Sequence, residues 1–161
     1  MRIISGSKKG HKILSYKNKE IRPLTDKNRE TIFNILIHGK EIIGTGFEIN
    51  NSIVLDLFAG TGAFSFEALS RGALKATAVE SSSIMIDLIY KNAEKLKFRD
   101  KLLIFDENAC SFTNDSSNPK FDLVYCDPPY EKKLGIRSLK NLIKKNMLNT
   151  NAIIILEEEL K

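Results

Sequence analysis

Short runs of β-branched and aromatic residues alternate with longer helical patterns from residue 53 onward. Apolar runs of about four to eight residues, bounded by turn residues, are typical of buried strands. The pattern predicts five strands: SIVLDLF (52–58), KATAVE (75–80), KLLIF (101–105), FDLVYC (121–126) and AIIIL (152–156).

Helical patterns occupy three of the stretches between these strands. AFSFEALSRG ends at Gly72, and GIRSLKNLIKKN lies between the last two strands. Between the second and third strands, one face of the helical pattern carries the apolar side chains Ile84, Met85, Leu88, Ile89 and Leu96. Strands joined by helices pair in parallel, so residues 51–161 are predicted to form an α/β core with a Rossmann-like sheet.

The first 50 residues follow a different pattern and are interpreted as an N-terminal extension. RIIS and HKILSY, separated by GSKKG, predict a basic hairpin. TDKNRETIFNILIHG predicts a helix with Thr25 at its cap and Gly39 near its end. With 161 residues and no long linker, the chain is expected to be one domain, in which residues 1–50 precede the core.

Basic charge is concentrated at the start of the chain. Residues 1–30 contain nine Lys or Arg and three acids, a net charge of +6, and the other 131 residues sum to about −1 (16 bases, 17 acids). Such a segment favours a phosphate-bearing partner. A solvated Lys-rich face would have the same composition.

Composition also bounds the class of protein. No apolar stretch approaches the roughly 20 residues that span a bilayer, and the start lacks the apolar segment of a secretory signal, so a cytoplasmic protein without a membrane partner is expected. Only two histidines are present, and Cys110 and Cys126 match no metal-ligand spacing. We therefore expect no metal site and two reduced thiols.

The segment DLFAGTGAFS joins the first predicted strand to the helix after it. Asp56 stands near the end of the strand, and Gly60 and Gly62 stand in the turn, at the edge where such sheets bind ligands. Glu80 ends the second strand, where an acid can accept hydrogen bonds from ribose hydroxyls. These positions fit a nucleoside-bearing cofactor.

The turn departs from the dinucleotide fingerprint G-x-G-x-x-G, because Ser65 occupies the third glycine position. Asp56, four residues before the first glycine, would repel a pyrophosphate but could help to hold a cationic amino acid. These features favour S-adenosyl-L-methionine, which carries an ammonium and a sulfonium, over NAD. A G-x-G turn alone is also compatible with an ordinary tight turn.

Asp127-Pro128-Pro129-Tyr130 follows the fourth predicted strand, which should neighbour the first. Both prolines fix φ and lack an N–H, so the loop presents acceptors and few donors. The Asp127 carboxylate and the Pro128 carbonyl could bind the two hydrogens of an exocyclic amine on a nucleobase and aim its lone pair at a methyl group. Tyr130 could stack on the base.

These motifs resemble the RsmD family of bacterial 16S rRNA guanine-N2 methyltransferases, which are class I enzymes dependent on S-adenosyl-L-methionine. The resemblance rests on RIISGSKKGHKIL, IRPLTDKNRETIFNIL, VLDLFAGTGAFSFEALSRGA and YCDPPY, and it extends to about residue 157. It implies methylation of the N2 amine of a guanine. The implied substrate is 16S ribosomal RNA, free or in a small-subunit assembly intermediate.

The resemblance also implies a role for each motif residue. The cofactor-binding residues would be Arg22, Thr25, Asp56, Phe58, Gly60, Gly62, Glu80, Asn108 and Ala109. The catalytic residues, which would hold the guanine amine, would be Asp127, Pro128, Pro129 and Tyr130. The RNA-binding residues of the hairpin would be Lys8, Lys9 and Lys12, which would contact phosphates without reading sequence.

Other functions share part of this pattern. A DNA adenine-N6 methyltransferase would have both motifs, and a catalytically silent RNA-binding module would have the same basic start. Cys126 could suggest covalent catalysis, but no basic neighbour favours its thiolate, so a packed thiol is expected. The RsmD family continues past the fifth strand into an antiparallel strand pair, which this chain, ending at Lys161, is expected to lack. A monomer is expected unless another chain covers the edge of the fifth strand.

Overall fold

A computed structural model describes residues 1–16, 25–115, 118–129 and 133–157. Within these residues, a single five-stranded sheet has the order β3-β2-β1-β4-β5. Its strands are β1 (Ile53–Leu57), β2 (Lys75–Glu80), β3 (Leu102–Asp106), β4 (Phe121–Cys126) and β5 (Leu148–Leu156). All four neighbouring pairs are parallel, which confirms the predicted Rossmann-like α/β sheet and the placement of β4 beside β1.

The helices cover both faces of the sheet. They are α1 (Asp26–His38), α2 (Lys40–Ile43), α3 (Ala63–Ser70), α4 (Ser83–Leu96) and α5 (Leu134–Lys144). Because side chains alternate along each strand, Val54 and Leu123 pack with α1, α3 and α4, whereas Leu55 and Val124 pack with α5. None of these helices is long and apolar enough to cross a membrane.

The fifth strand is longer than predicted. It begins at Leu148, four residues before the predicted start, and its pairing shifts from Phe121↔Leu148 to Leu123↔Ile153. The polar residues between Leu148 and Ile153 occupy this irregularity. The extra residues of a bulge are not paired one to one with the neighbouring strand. They precede the apolar run from which the strand was predicted, so the run does not reveal them.

The N-terminal hairpin is formed, but its ladder is short. A single antiparallel bridge joins Arg2 and Lys12, and the connection contains a 3-10 helix, Gly6–Lys8. Gly6 has a φ of +80°, and a Cβ atom there would lie 1.8 Å from the Ser70 carbonyl oxygen. Glycine is therefore required for this turn to pack on the end of α3.

A buried polar cluster holds the extension on the core. The Glu67 carboxylate accepts hydrogen bonds from the backbone N–H groups of Ile4 (2.8 Å) and Ser5 (3.0 Å). It also pairs with Arg71 at 2.8 Å and with Arg29 at 3.5 Å, and the side chains of Glu67 and Arg29 are fully buried. Because α3 supplies Glu67 and α1 supplies Arg29, one carboxylate joins two helices and the first strand of the hairpin.

Candidate functional site

A cavity opens at the carboxyl edge of the sheet, between β1 and β4. Its walls include Asp56 of β1, Thr61 of the glycine turn, Met85 of α4, and Tyr125 and Asp127 at the end of β4. The crossovers from β1 and β4 run to opposite faces of the sheet, so a crevice forms where they diverge. The two predicted sites therefore share one cleft.

Asp56 is a buried acid at the base of this cleft. The residue is 1% exposed, and Oδ2 accepts hydrogen bonds from the backbone N–H (3.1 Å) and the hydroxyl (2.7 Å) of Ser65. Burial is the main cause that raises its pKa to about 7; the Ser65 hydrogen bonds lower the pKa, and the charges of Asp127 and Glu80 raise it. Near neutral pH, Asp56 is poised to ionise when a cation is placed beside it.

The glycine turn brings backbone close to the cleft. Phe58, Gly60 and Gly62 all have positive φ, at 61°, 54° and 75°. A Cβ atom on Gly60 would meet nothing within 4 Å, whereas one on Gly62 would lie 2.8 Å from the Phe66 ring. Gly62 is thus needed for packing of α3, and Gly60 leaves open space above the turn. Phe58, the non-glycine residue of this set, lines the cavity.

Glu80, at the end of β2, stabilises the glycine turn by hydrogen bonding. Its carboxylate accepts hydrogen bonds from the backbone N–H of Gly60 (2.8 Å) and from those of Ser81 and Ser82 (both 2.9 Å). A carboxylate offers about four acceptor positions, so three N–H groups leave about one for a ligand hydroxyl. The acid predicted to hold ribose therefore also fixes the turn.

Asp127 and the two prolines follow β4 directly. Asp127 lines the cavity and is partly buried, Pro128 is buried, and Pro129 is exposed. Tyr130, the residue predicted to stack on a base, lies outside the described residues. Asp127 is close enough to Asp56 for its charge to raise the pKa of that acid, so the cleft holds two interacting carboxylates.

An aromatic stack forms one wall and was not predicted from sequence. The Tyr125 ring stacks on Phe64 with centroids 4.1 Å apart, and Phe64 stacks in turn on Phe33 of α1. The Tyr125 hydroxyl donates a 2.6 Å hydrogen bond to Glu157. Burial, and then the charges of Asp127 and Glu157, raise the pKa of this phenol far above its ordinary value, so Tyr125 is a fixed donor.

The end of the hairpin covers the cleft. Ser15 and Tyr16 line the cavity, although they lie 40 residues or more before Asp56. Buried Asn92 of α4 holds this segment, because its side chain accepts from the Leu14 N–H (2.7 Å) and donates to the Leu14 carbonyl (3.0 Å). Asn92 also donates to the Thr61 carbonyl at 3.3 Å, so one amide joins the hairpin to the glycine turn.

Three other predicted cofactor residues, Thr25, Asn108 and Ala109, are not among the residues that line the cavity. The Asn108 side-chain carbonyl accepts from the Cys110 N–H at 2.9 Å, and Ala109 is buried in the core on the α5 face. The Thr25 hydroxyl caps α1 by accepting from the Asn28 N–H at 3.1 Å. Arg22 lies outside the described residues. Their predicted roles toward a cofactor remain predictions.

The predicted RNA-binding lysines lie along the hairpin and are not among the residues that line the cavity. The Lys8 N–H donates to the Ser70 hydroxyl at 2.9 Å, and its ammonium is 5.8 Å from the centre of the Phe98 ring. Ser70 ends α3, whose eight residues span about 12 Å from the glycine turn. Lys9 and Lys12 are exposed. The hairpin tip thus lies near the amino edge of the sheet.

The raised pKa of Asp56 predicts a pH-dependent difference between the wild-type protein and the Asp56→Asn variant. The folded state keeps the Asp56 proton up to about pH 7, whereas the unfolded chain loses it near its ordinary pKa of 3.8. Wild-type stability should therefore fall across this window by up to roughly 1.4 kcal/mol per pH unit, relative to the variant, and level off above it. Denaturant unfolding at pH 4.5, 6 and 7.5 measures the difference, and a constant difference would contradict the assignment.

The chain is similar to known proteins in family, in sequence and in structure. The family model described as conserved hypothetical protein 95 matches residues 1–161. A ribosomal RNA small subunit methyltransferase D from Haemophilus influenzae is 34% identical over 161 residues, covering 99% of this chain and 79% of that protein. The Escherichia coli protein of the same name is 33% identical, covering 100% of this chain and 76% of its own length.

Solved structures support the same fold. A candidate methyltransferase from Escherichia coli superposes with a TM-score of 0.83 at 32% identity, covering all of this chain and 82% of that one. A methyltransferase from Thiobacillus denitrificans, solved with S-adenosyl-L-homocysteine, has a TM-score of 0.64 at 19% identity and covers 86% of this chain and 50% of that one. The second likeness concerns the fold alone.

Proposed function

Because the chain belongs to the RsmD family, whose model matches residues 1–161, we propose that it methylates the exocyclic N2 amine of a guanine in 16S ribosomal RNA. The family's methyl donor is S-adenosyl-L-methionine, which supplies an electrophilic methyl group when bound. The single observation that carries the proposal for this chain is the shared cleft, in which Asp56 and the glycine turn face Asp127.

The residues of the cleft fit a cationic, nucleoside-bearing donor. Asp56, Asp127 and Glu80 gather negative charge at one edge of the sheet, as the mutual effects on the Asp56 pKa indicate. Ammonium and sulfonium groups are attracted to such a set, whereas a pyrophosphate is repelled. The open space above Gly60 lets a ligand approach the backbone, and Glu80 retains acceptor capacity for a hydroxyl.

The acceptor-rich edge after β4 suits an amine substrate. In the proposed reaction, Asp127 and the Pro128 carbonyl accept the two hydrogens of guanine N2, which favours a pyramidal nitrogen with its lone pair toward the methyl group. The nitrogen–carbon bond forms as the carbon–sulfur bond breaks, and the very acidic methylated amine then loses a proton to solvent. No strong base is needed, so Asp127 acts by orientation and charge.

The names of the relatives indicate which substrates to consider, and one of them makes adenine an alternative to guanine. Two relatives named ribosomal RNA small subunit methyltransferase D match over nearly the whole chain. A tRNA1(Val) (adenine(37)-N6)-methyltransferase from Shewanella woodyi is 33% identical over 103 residues, but those residues cover only 42% of that protein. These names support ribosomal RNA as the proposed substrate. Guanine is proposed as the base because the resemblance to the RsmD family implies it, and adenine is the alternative that the experiment must separate.

Labelled methyl transfer tests the proposal. We expect the purified protein to transfer a methyl group from S-adenosyl-L-methionine to 16S ribosomal RNA, presented free or in small-subunit particles from cells that lack this protein. Nuclease digestion and mass spectrometry should identify N2-methylguanosine at one position. Labelled N6-methyladenine would contradict the guanine assignment, and no transfer to any nucleic acid would favour the silent RNA-binding module.

A further inference from the structure

Helix α5 carries a second basic surface, which is not evident from the net charge of residues 31–161. Residues 132–156 contain six Lys or Arg and no acid, a net charge of +6. Residues 31–161 sum to only about −1, because the remaining segments of that range are acidic. The chain therefore has two basic segments, and only the first contains the hairpin.

Three basic side chains of α5 and Lys133, the residue that caps its N-terminus, form one stripe. Lys133, Arg137, Lys140 and Lys144 follow the spacing i, i+4, i+7 and i+11, which places them on one side of a helix. All four are exposed. Among the described residues, none of the four forms a salt bridge with a carboxylate.

The opposite side of α5 fixes the orientation of this stripe. Leu142 is buried in the core of that sheet face, and the Asn141 side chain donates to the Phe112 carbonyl at 2.8 Å. Ser138 is also buried, with its hydroxyl 3.4 Å from the sulfur of Cys110. Because these contacts hold one side of the helix against the core, the stripe faces solvent along its whole length.

An ordinary solvated helix would carry charges of both signs. Helix α4 of the same chain does so, since Lys91 pairs with Asp87 at 2.6 Å across one turn. Along the stripe, from Lys133 to Lys144, three successive like-charged pairs occur at i,i+3 or i,i+4 spacing, and no acid stands in the first turn of α5 to complement the helix dipole. Repulsion between these like charges destabilises the helix when nothing is bound to it. A polyanion bound along the stripe would reduce that repulsion.

The position of the stripe relates it to the candidate site. Lys133 lies four positions after Pro129 in the sequence and directly before α5, at the carboxyl edge, and Lys144 lies about 16 Å further along the helix, toward the amino edge. The hairpin lysines lie on the other face of the sheet, which α3 and α4 cover. A nucleic acid whose base enters the cleft can therefore meet positive charge on both faces.

We propose that the α5 stripe of Lys133, Arg137, Lys140 and Lys144 is a second phosphate-binding surface for the RNA substrate. The inference rests on the proposed function, since it assigns the partner of the same site. The stripe binds the ribose-phosphate backbone by charge and does not read sequence. It adds affinity and orientation to the contacts of the hairpin on the opposite face.

The double variant Arg137→Glu/Lys144→Glu tests the inference without weakening the helix. It leaves alternating signs along the stripe, so the helix should fold at least as well as in the wild-type protein. The matched control, Lys40→Glu/Lys75→Glu, makes the same change of net charge at exposed lysines outside α5 and the hairpin. Binding of a 16S ribosomal RNA transcript is measured from 50 to 300 mM salt, together with thermal unfolding.

We expect the α5 variant to bind the transcript roughly tenfold more weakly near 150 mM salt, and its salt dependence to become shallower by about one to two units of log K per log salt. The KM for RNA should rise while kcat at saturating RNA is kept. Equal affinity and salt dependence in the α5 and control variants would overturn the inference. Binding to phosphatidylserine vesicles is measured in parallel, and an α5 variant that loses vesicle binding but keeps RNA binding would also overturn it. If RNA binding falls as expected but the wild-type protein transfers no methyl group, the proposed function fails and the surface stands.

Discussion

Replacing Asp127 with alanine is expected to reduce methyl transfer to ribosomal RNA by roughly 10²- to 10³-fold, which is the usual cost of removing one preorganised group that stabilises a transition state. Asp127 lies at the end of β4 and lines the cleft beside Asp56. Its proposed role is to hold the substrate amine, so the affinity for S-adenosyl-L-methionine should change little. Single-turnover transfer and equilibrium binding of the donor measure the two effects separately.

Two further variants make this prediction specific. Asp127→Asn keeps one acceptor oxygen, so its transfer rate should lie between those of the alanine variant and the wild-type protein. Asp100→Ala, an exposed acid in the 3-10 helix Arg99–Lys101, has a comparable loss of charge away from the cleft and should be fully active. Equal rates in the Asp127→Ala and Asp100→Ala proteins would show that the reaction does not use this carboxylate.

The sequence predicted the sheet because parallel strands are buried on both faces and form apolar runs that are easy to recognise. The carboxyl-edge site followed from that prediction, since the strand order brings the residues after β1 and β4 together. Asp56 and Asp127 therefore share a cleft although 71 positions separate them. Periodicity and turn chemistry were sufficient for this part of the site.

The walls contributed by distant segments were not predictable in the same way. Ser15 and Tyr16 cover the cleft because Asn92 binds the backbone of Leu14, 78 positions away. Tyr125 is oriented by Glu157, 32 positions away. A single polar residue within a helix, such as Asn92, or just after a strand, such as Glu157, is normally expected to face solvent, so only the tertiary packing identifies these partners.

Glu67 gives the clearest case of a polar residue whose role depends on packing, and its replacement should have the largest effect on stability. Glu67→Ala would leave Arg29 and Arg71, whose side chains are 0% and 8% exposed, without their shared carboxylate. Breaking a buried ion pair by removing one partner typically costs about 3–5 kcal/mol. We therefore expect a loss of this size in the free energy of unfolding, measured with denaturant.

A local measurement distinguishes this mechanism from general destabilisation. The N–H groups of Ile4 and Ser5 both donate to Glu67, so their hydrogen exchange should accelerate more than that of the central strand β1. Glu67→Gln, which keeps one acceptor oxygen, should protect these amides partly. Glu94→Ala, at an exposed position on α4, serves as the control and should change stability by less than about 0.5 kcal/mol.

The expected result also bears on the site, because the hairpin strand that Glu67 holds is paired with the strand leading to Ser15 and Tyr16. If Glu67 anchors the cover of the cleft, folded Glu67→Gln protein should bind S-adenosyl-L-methionine more weakly than the Glu94→Ala control. Unchanged donor affinity together with faster exchange at Ile4 and Ser5 would mean that the hairpin is dispensable for the cofactor. The extension would then serve the RNA alone.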